Sequence, residues 1–295
     1  MDASCLQYAL TDEEREAFNR DGYLIVEDAL PPEKIDFLTE VTDRCYRDNV
    51  LTDIVKPGSG SKSTQLLSRM KGYVNAPNFI GADPAFLDLV DYERILPKVW
   101  GILGWNIFLY HSHLIITEQT EGTFDPDGKT FGWHQDSGRL NFDMETDPRP
   151  RISLKVGYFL TDLTEPGRGN FWIIPGSHLR NKVEMPHDGI GQPQGAIPVL
   201  VKPGTAVLFD RRMWHCGTTN YSPIVRKVLF YGYGYRWIQT RDGMTIPPDL
   251  YDAADPIRKQ ILGHSTSQVG RSSPSDQDVP LRGWLEKYQP EIAAR

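Results

Sequence analysis

Cysteine is scarce in this chain: Cys5, Cys45 and Cys216 are its three, widely spaced and odd in number. That excludes a disulfide framework and a thiolate zinc cluster, and it suits a reducing compartment. Positive charge is also short. Lys and Arg total 32 against 39 Asp and Glu, for a formal net charge of -7, and without a polybasic patch no nucleic-acid partner is expected. No apolar run reaches the length of a membrane span, and Met1-Asp2-Ala3-Ser4-Cys5 carries no basic segment leading into an apolar one. Neither a membrane partner nor a secretory signal is expected, and the expected location is cytoplasmic. The final Glu291-Ile292-Ala293-Ala294-Arg295 is not the peroxisomal tripeptide. Internal repeats of fixed period are absent as well. What remains is ordinary for a globular protein, with 39% hydrophobic and 24% charged residues over 295 positions, and it is read as a single domain.

Three stretches differ in character. Residues 8–105 read as mainly helical. Thr11-Asp12-Glu13-Glu14 has a capping-box start, Gly22 a helix stop, and Tyr23-Leu24-Ile25-Val26 a strand pattern. Pro31-Pro32-Glu33 opens a second helix, with Ile35, Leu38, Val41 and Cys45 on one face. A third is expected over Asp83 to Trp100, with Phe86, Leu87, Val90, Ile95 and Val99 inward and a boundary near Pro97. Lys56-Pro57-Gly58-Ser59-Gly60-Ser61-Lys62-Ser63 reads as a flexible loop. Residues 106–240 turn to short strands separated by Gly, Pro and Asp: Ile107–Tyr110, His113–Thr117, Ser153–Leu160, Asn170–Ile174, Ala206–Phe209 and Val228–Tyr233. Such a series points to a β-sandwich or barrel. In the extension over residues 241–295, Ser265 to Asp278 reads as loop, and Trp284, Leu285 and Tyr288 can dock a last short helix.

The chemistry concentrates in Phe131-Gly132-Trp133-His134-Gln135-Asp136, answered far along the chain by Trp214-His215-Cys216 and then Arg226. A His and an Asp two apart on an extended segment point to one side, their side-chain origins about 6 to 7 Å apart. A second His completes one face of an octahedron and leaves positions open, as non-haem Fe(II) requires. Between His215 and Arg226 lies the turn-rich Gly217-Thr218-Thr219-Asn220-Tyr221-Ser222-Pro223, which can fold two strands side by side. A guanidinium beside an open iron site suits a dicarboxylate co-substrate whose far carboxylate takes a bidentate pair. Cys216, alternating with His215, is expected to point away from the metal.

The opening Leu10-to-Val26 segment, the His134-Gln135-Asp136 motif, the Pro175-Gly176-Ser177-His178 turn, Lys202-Pro203-Gly204-Thr205 and the His215-to-Arg226 interval together resemble the phytanoyl-CoA dioxygenase family of Fe(II)- and 2-oxoglutarate-dependent oxygenases, over roughly residues 8–240. The resemblance implies a mainly β fold with flanking helices around a double-stranded β-helix (jelly-roll, cupin-like) core. It implies Fe(II) held by His134, Asp136 and His215, 2-oxoglutarate anchored by Arg226, and O2 as oxidant, with a small molecule hydroxylated. Many members carry Ser two residues after the distal His. Here that position is Gly217, and the neighbouring Thr218 is the candidate hydroxyl.

Around the proposed iron, Trp133, Gln135 and Trp172 are candidate substrate contacts, with Arg139 as a charged handle unless it pairs with Asp143 or Glu145. Ser137, Tyr158, Trp214 and Tyr235 are further candidates. His111 and His113 lack a carboxylate at ligand spacing and read as core or pocket wall, and His178 as a structural hydrogen bond. The competing readings are a non-catalytic jelly-roll protein that binds a small ligand or sugar around a structural metal, which needs a fourth protein ligand, and a zinc hydrolase, which has no use for Arg226.

Overall fold

A computed structural model describes residues 1–48, 50–51, 72–136 and 138–294; the expected loop at 56–63 lies outside them. Six strands form one antiparallel sheet in the order β1 (Tyr23–Val26), β7 (Ala206–Asp210), β4 (Ser153–Phe159), β9 (Arg226–Tyr235), β3 (Ile107–Thr117) and β2 (Tyr73–Pro77). Three short strands, β6 (Ile197–Val199), β5 (Phe171–Ile173) and β8 (His215–Gly217), form a second sheet with β5 at its centre. Alternation along the strands builds two cores. Leu154, Val156, Leu208, Leu229 and Tyr231 leave the large sheet on one side and pack with the helices. Phe159, Val207, Phe209, Val228 and Phe230 leave it on the other and meet Phe171, Ile173 and Val199 of the small sheet. Two antiparallel sheets closed over a shared apolar layer make the jelly roll that the sequence led us to expect.

The helices line the outer face. In α1 (Asp12–Asp21), Thr11 Oγ1 accepts from Glu14 N–H at 3.1 Å and Glu14 accepts from Thr11 N–H at 3.0 Å, the reciprocal cap read from the sequence. Gly22 ends it at φ 84°, and a Cβ there would lie 2.5 Å from the His178 ring. Both the left-handed backbone and the close approach require glycine. Leu38, Val41 and Cys45 are buried on α2 (Pro32–Arg47).

The expected helix from Asp83 to Trp100 is instead two, α3 (Pro84–Leu87) and α4 (Leu96–Leu103). Pro97 stands in the first turn of α4, where its missing N–H costs no helical bond and so marks a helix start. Phe86, Leu87, Val90, Ile95 and Val99 are nonetheless all buried, so their spacing reported burial without reporting continuity. Strands β2 and β6 were not anticipated, and the strand expected at His215 is β8, which pairs with β5 and not, as expected, with the strand of Arg226. In β2 only Val74 and Ala76 alternate inward, a run too short to stand out, and it ends in Pro77, which an edge strand tolerates. The expected strands Ile107–Tyr110 and His113–Thr117 are one strand, β3, with an irregular register between Leu109 and His111.

After Asp136 comes the single-turn α5 (Arg139–Asp143). The extension adds α6 (Pro248–Ala253), α7 (Pro256–Ile261), α8 (Pro280–Tyr288) and α9 (Pro290–Ala293). The intervening Ser265–Asp278 stretch has no helix or strand, and buried Arg236 ties it to the jelly roll by donating to His264 O at 2.9 Å and Gly270 O at 3.4 Å. Among the described residues, no helix is long and apolar enough to cross a membrane.

Candidate metal centre

Backbone pairing brings the two distant histidines together. His134 N–H donates to His215 O at 3.0 Å and His215 N–H donates back to His134 O at 2.9 Å, leaving the ring centroids 4.5 Å apart. Asp136 N–H donates to Arg211 O at 2.9 Å, so the HxD segment is pinned along the end of the barrel. The ligand atoms of His134, Asp136 and His215 all lie within 4.8 Å of one another. Among the described residues, no fourth His, Cys, Asp or Glu joins them. Cys216 alternates to the far side, pairing with Trp172 where His215 pairs with Ile173.

The hydrogen bonds fix which atoms face inward. Nδ1 of His134 sits 2.9 Å from Gly132 O, and Nδ1 of His215 sits 2.8 Å from Met213 O. A carbonyl can only accept, so each Nδ1 carries the proton and each Nε2 offers a lone pair. Asp136 Oδ1 accepts from Lys155 Nζ at 2.9 Å, whereas Asp136 Oδ2 is buried with no hydrogen-bond partner among the described residues, 3.8 Å from His215 Nε2. An unpaired carboxylate oxygen is costly in a protein interior. Two imidazole lone pairs and that oxygen form a donor set for a divalent cation, and the residues fit the iron that the motif implies.

Surrounding groups hold this geometry. Asn141 donates to Asp136 O at 2.6 Å and accepts from Arg211 at 2.6 Å. Ser177 of the Pro-Gly-Ser-His turn accepts Trp214 N–H at 2.9 Å, just before His215. His178 Nε2 lies 3.0 Å from Asn19 O, the structural bond expected of it.

Burial alone would raise the Asp136 carboxyl, but Lys155, His215 and Arg241 together hold it well below the usual range. Burial, reinforced by His134, pushes His215 down to about 3, and burial with Lys155 nearby pushes His113 well below its ordinary value of 6.5. On unfolding both rings regain that ordinary value, so below about pH 6.5 the unfolded chain binds protons that the folded chain refuses. Metal-free protein is therefore expected to lose stability as the pH falls below about 6.5, His215 alone contributing about 1.4 kcal/mol per pH unit between about pH 5.5 and 4, read by urea denaturation across that range. A flat profile would mean that the two rings are already protonated in the fold.

Arg226 opens β9 on the face shared with Val228 and Phe230 and is 4% exposed. Burial lowers its guanidinium to about 10, the Tyr73 phenol lies nearby, and its Nε has no partner among the described residues. Gly169 makes room for it: a Cβ at this residue, whose φ is +73°, would lie 2.9 Å from Arg226 Cδ. A buried cation with no carboxylate among the described residues is an anion site in waiting. Thr218 is buried, but its hydroxyl donates to Asn170 O at 3.0 Å, so that proton is already engaged.

The candidate substrate contacts fare differently. Strand alternation turns Trp172 to the face opposite His215, where it packs on Phe131 at 5.3 Å, while Phe171 lies 5.3 Å from the His215 ring. Gln135 alternates away from the ligands and donates to Arg180 O and Arg212 O. Trp133 donates to Gln192 at 3.0 Å, in the loop before β6. Arg139 is 84% exposed and pairs with Asp143 at 2.8 Å, the alternative anticipated for it; α5 turns it outward, and the structure does not bring it to the ligands. Since such surface pairs contribute about 0.3–0.5 kcal/mol, Arg139→Ala should leave turnover intact and shift stability by no more than about 0.5 kcal/mol. A tenfold fall in substrate-stimulated succinate release would return Arg139 to the site.

Tyr158 belongs to the helix-side core, Trp214 flanks His215, Tyr235 stacks on Trp237 at 5.8 Å, and Ser137 lies outside the described residues. Sequence reasoning passed over Lys155, Tyr73, Arg241 and Asp242. Lys155 alone left a trace, as a lone cation in an otherwise apolar strand whose inward face the sequence does not reveal.

The profile of the phytanoyl-CoA dioxygenase (PhyH) family matches residues 18–228. An ectoine dioxygenase of Sphingopyxis alaskensis is 24% identical over 245 residues, covering 74% of this chain and 73% of the relative. The ectoine dioxygenase of Nocardia farcinica is 24% identical over 242 residues, covering 74% of this chain and 76% of its own length. Among solved structures, EctD from S. alaskensis with bound Fe aligns at TM-score 0.57 with 22% identity and 77% of each chain covered. HygX from Streptomyces hygroscopicus with nickel and 2-oxoglutarate aligns at TM-score 0.58 with 19% identity, over 82% of this chain and 94% of that one. With the family profile spanning most of the jelly roll and a His-Asp-His triad inside it, this chain belongs to the phytanoyl-CoA dioxygenase family and is a 2-oxoglutarate-dependent non-haem iron dioxygenase.

Proposed function

We propose that this enzyme hydroxylates an unactivated C–H bond of a small molecule, with His134, Asp136 and His215 as the Fe(II) ligands and Arg226 as the anchor for 2-oxoglutarate. The observation that carries the ligand assignment is the buried, unpaired Asp136 Oδ2 beside two imidazoles whose Nδ1 atoms are already committed to carbonyls. Ferrous iron with 2-oxoglutarate and O2 supplies an oxidant strong enough to take hydrogen from such a bond, coupled to release of succinate and CO2.

The protein's own part is placement. Lys155 occupies Asp136 Oδ1 and so leaves Oδ2 as the free oxygen of the carboxylate. The carbonyls of Gly132 and Met213 hold both imidazoles in the ligating tautomer. Arg226, in an apolar wall, would hold the far carboxylate through its guanidinium, where exclusion of water would strengthen the pair. Thr218 can add only an accepting lone pair while its proton stays on Asn170. Asp136 itself argues for hydroxylation over halogenation, because a carboxylate fills the position that chloride would need.

Relatives named ectoine dioxygenase support a small-molecule substrate. A structural-metal binding protein would close the coordination shell with a fourth protein ligand, and the triad has none among the described residues. The test is succinate release from 2-oxoglutarate after chelation, with Fe(II), Zn(II) or buffer added back under air. Recovery with Fe(II) alone is expected, and equal turnover with Zn(II) or without metal would defeat the reading. Screening a metabolite panel for stimulated release then identifies the substrate.

A further inference from the structure

The wall beside the triad is polar, and the irregularity in β3 makes it so. Register slips between Leu109 and His111. Tyr110, in the slip, reaches Ser153 Oγ at 3.4 Å, while His111 faces Asp242 at 3.0 Å. A bulge re-aims side chains in this way. His111 stacks on His113 at 4.7 Å, and His113 stacks on Phe230 at 4.7 Å with its Nδ1 unpartnered. From β4, Lys155 enters the same wall at 4% exposed. Its ammonium donates to Asp136 Oδ1, and its other protons have no acceptor among the described residues. Arg241 comes over the top: its N–H donates to Tyr110 O at 2.8 Å, its side chain is 52% exposed, and Nη1 stands 4.0 Å from Asp136 Oδ1.

Charge decides what this wall can receive. Fe(II), Asp136, the 2-oxoglutarate dianion and Arg226 form an electrically neutral set, so once the metal is bound Asp136 no longer balances its cationic neighbours. Lys155 and Arg241 then remain against Asp242, whose carboxylate accepts from Ser112 N–H at 2.8 Å and lies against His111. One positive charge is left in excess beside the triad. A neutral substrate leaves it uncompensated at the buried Lys155, whereas one carboxylate cancels it.

We propose that Lys155 and Arg241 form a recognition site for a carboxylate of the substrate, so that the enzyme oxidises a small carboxylic acid. This rests on the metal and 2-oxoglutarate sites proposed above. It moves the charged handle from Arg139, which faces solvent, to two cations at the triad.

The test uses the full-length chain loaded with Mn(II) and saturated with 2-oxoglutarate, and reads the paramagnetic relaxation of methyl protons of acetate and of acetamide, its uncharged counterpart. Acetate is expected to bind at least about tenfold more tightly than acetamide. Arg241→Gln and Lys155→Met should each weaken it by about tenfold, with Arg241→Lys retaining most of it. Should Lys155→Met fail to fold, Arg241→Gln, altered at a half-exposed side chain, still decides. Equal binding of acetate and acetamide would overturn the proposal, as would acetate relaxation that survives in Arg241→Gln, since the anion would then sit on the metal itself. A change in the Mn(II) EPR spectrum on adding 2-oxoglutarate, recorded on the same sample, separates the outcomes. If that change is present without acetate preference, only this inference fails; if it is absent, the underlying reading fails.

Discussion

Asp136→Ala should release the iron and also weaken the metal-free fold. Altering a group that merely supports a metal ligand costs about 10- to 100-fold in affinity, so deleting a ligand should cost more than about 100-fold. The second effect follows from Lys155, which is buried and paired with Asp136 at 2.9 Å. Removing one partner of a buried pair leaves an uncompensated charge and costs about 3–5 kcal/mol. Adding Lys155→Met to Asp136→Ala should therefore restore much of the stability and none of the iron binding. Metal content after gel filtration and urea denaturation of the two variants measure the two effects separately. Near-normal iron retention in Asp136→Ala would remove the carboxylate from the centre.

Arg226→Ala is expected to act in the opposite sense on the two observables. Truncating one member of a buried, hydrogen-bonded charge pair costs about 2–5 kcal/mol, equivalent to a rise of roughly 30-fold to several-thousand-fold in the 2-oxoglutarate requirement. Without co-substrate, however, Arg226 is a buried cation with no carboxylate among the described residues, and burial already pulls its guanidinium down to about 10. Its removal should leave the co-substrate-free protein as stable as before, or more so. A structural role predicts the reverse, a loss of stability with an unchanged 2-oxoglutarate requirement. Denaturation with and without 2-oxoglutarate, beside a turnover titration, distinguishes the two.

What could be read from the residues and what could not divide along physical lines. The triad was legible because His134 and Asp136 are two apart on an extended segment and His215 follows an apolar run, so local geometry and one long-range pairing sufficed. Arg226 was read from a turn expected to lay its strand beside that of His215; β8 and β9 instead sit in different sheets, β8 against β5 and β9 between β4 and β3, and Arg226 nonetheless falls on the buried face shared with Val228 and Phe230. Trp172 and Arg139 needed facts that spacing alone does not carry. Alternation states that Trp172 and Phe171 face opposite ways, but which of them faces His215 depends on the pairing of β5 with β8. Arg139 was decided by α5, a single turn that rotates it into solvent. Lys155 was hidden for a different reason: a lysine in a strand ordinarily signals a solvated face, and only the closure of a second sheet over β4 buries it. Strand β2, with Tyr73 facing Arg226, lacked an apolar alternation strong enough to be seen. The helix expected from Asp83 to Trp100 erred in continuity but not in burial, because the inward spacing survives the break before Pro97.

Anaerobic titration of the chelator-stripped protein with Fe(II) and then 2-oxoglutarate tests the assignment of the centre most directly, through the weak visible charge-transfer absorption of the iron–2-oxoglutarate chelate. A saturable band at one equivalent of iron is predicted for the unaltered protein. It should be absent in His215→Ala and shifted to much higher 2-oxoglutarate concentration in Arg226→Ala. No band in the unaltered protein, or a band indifferent to both substitutions, would contradict it.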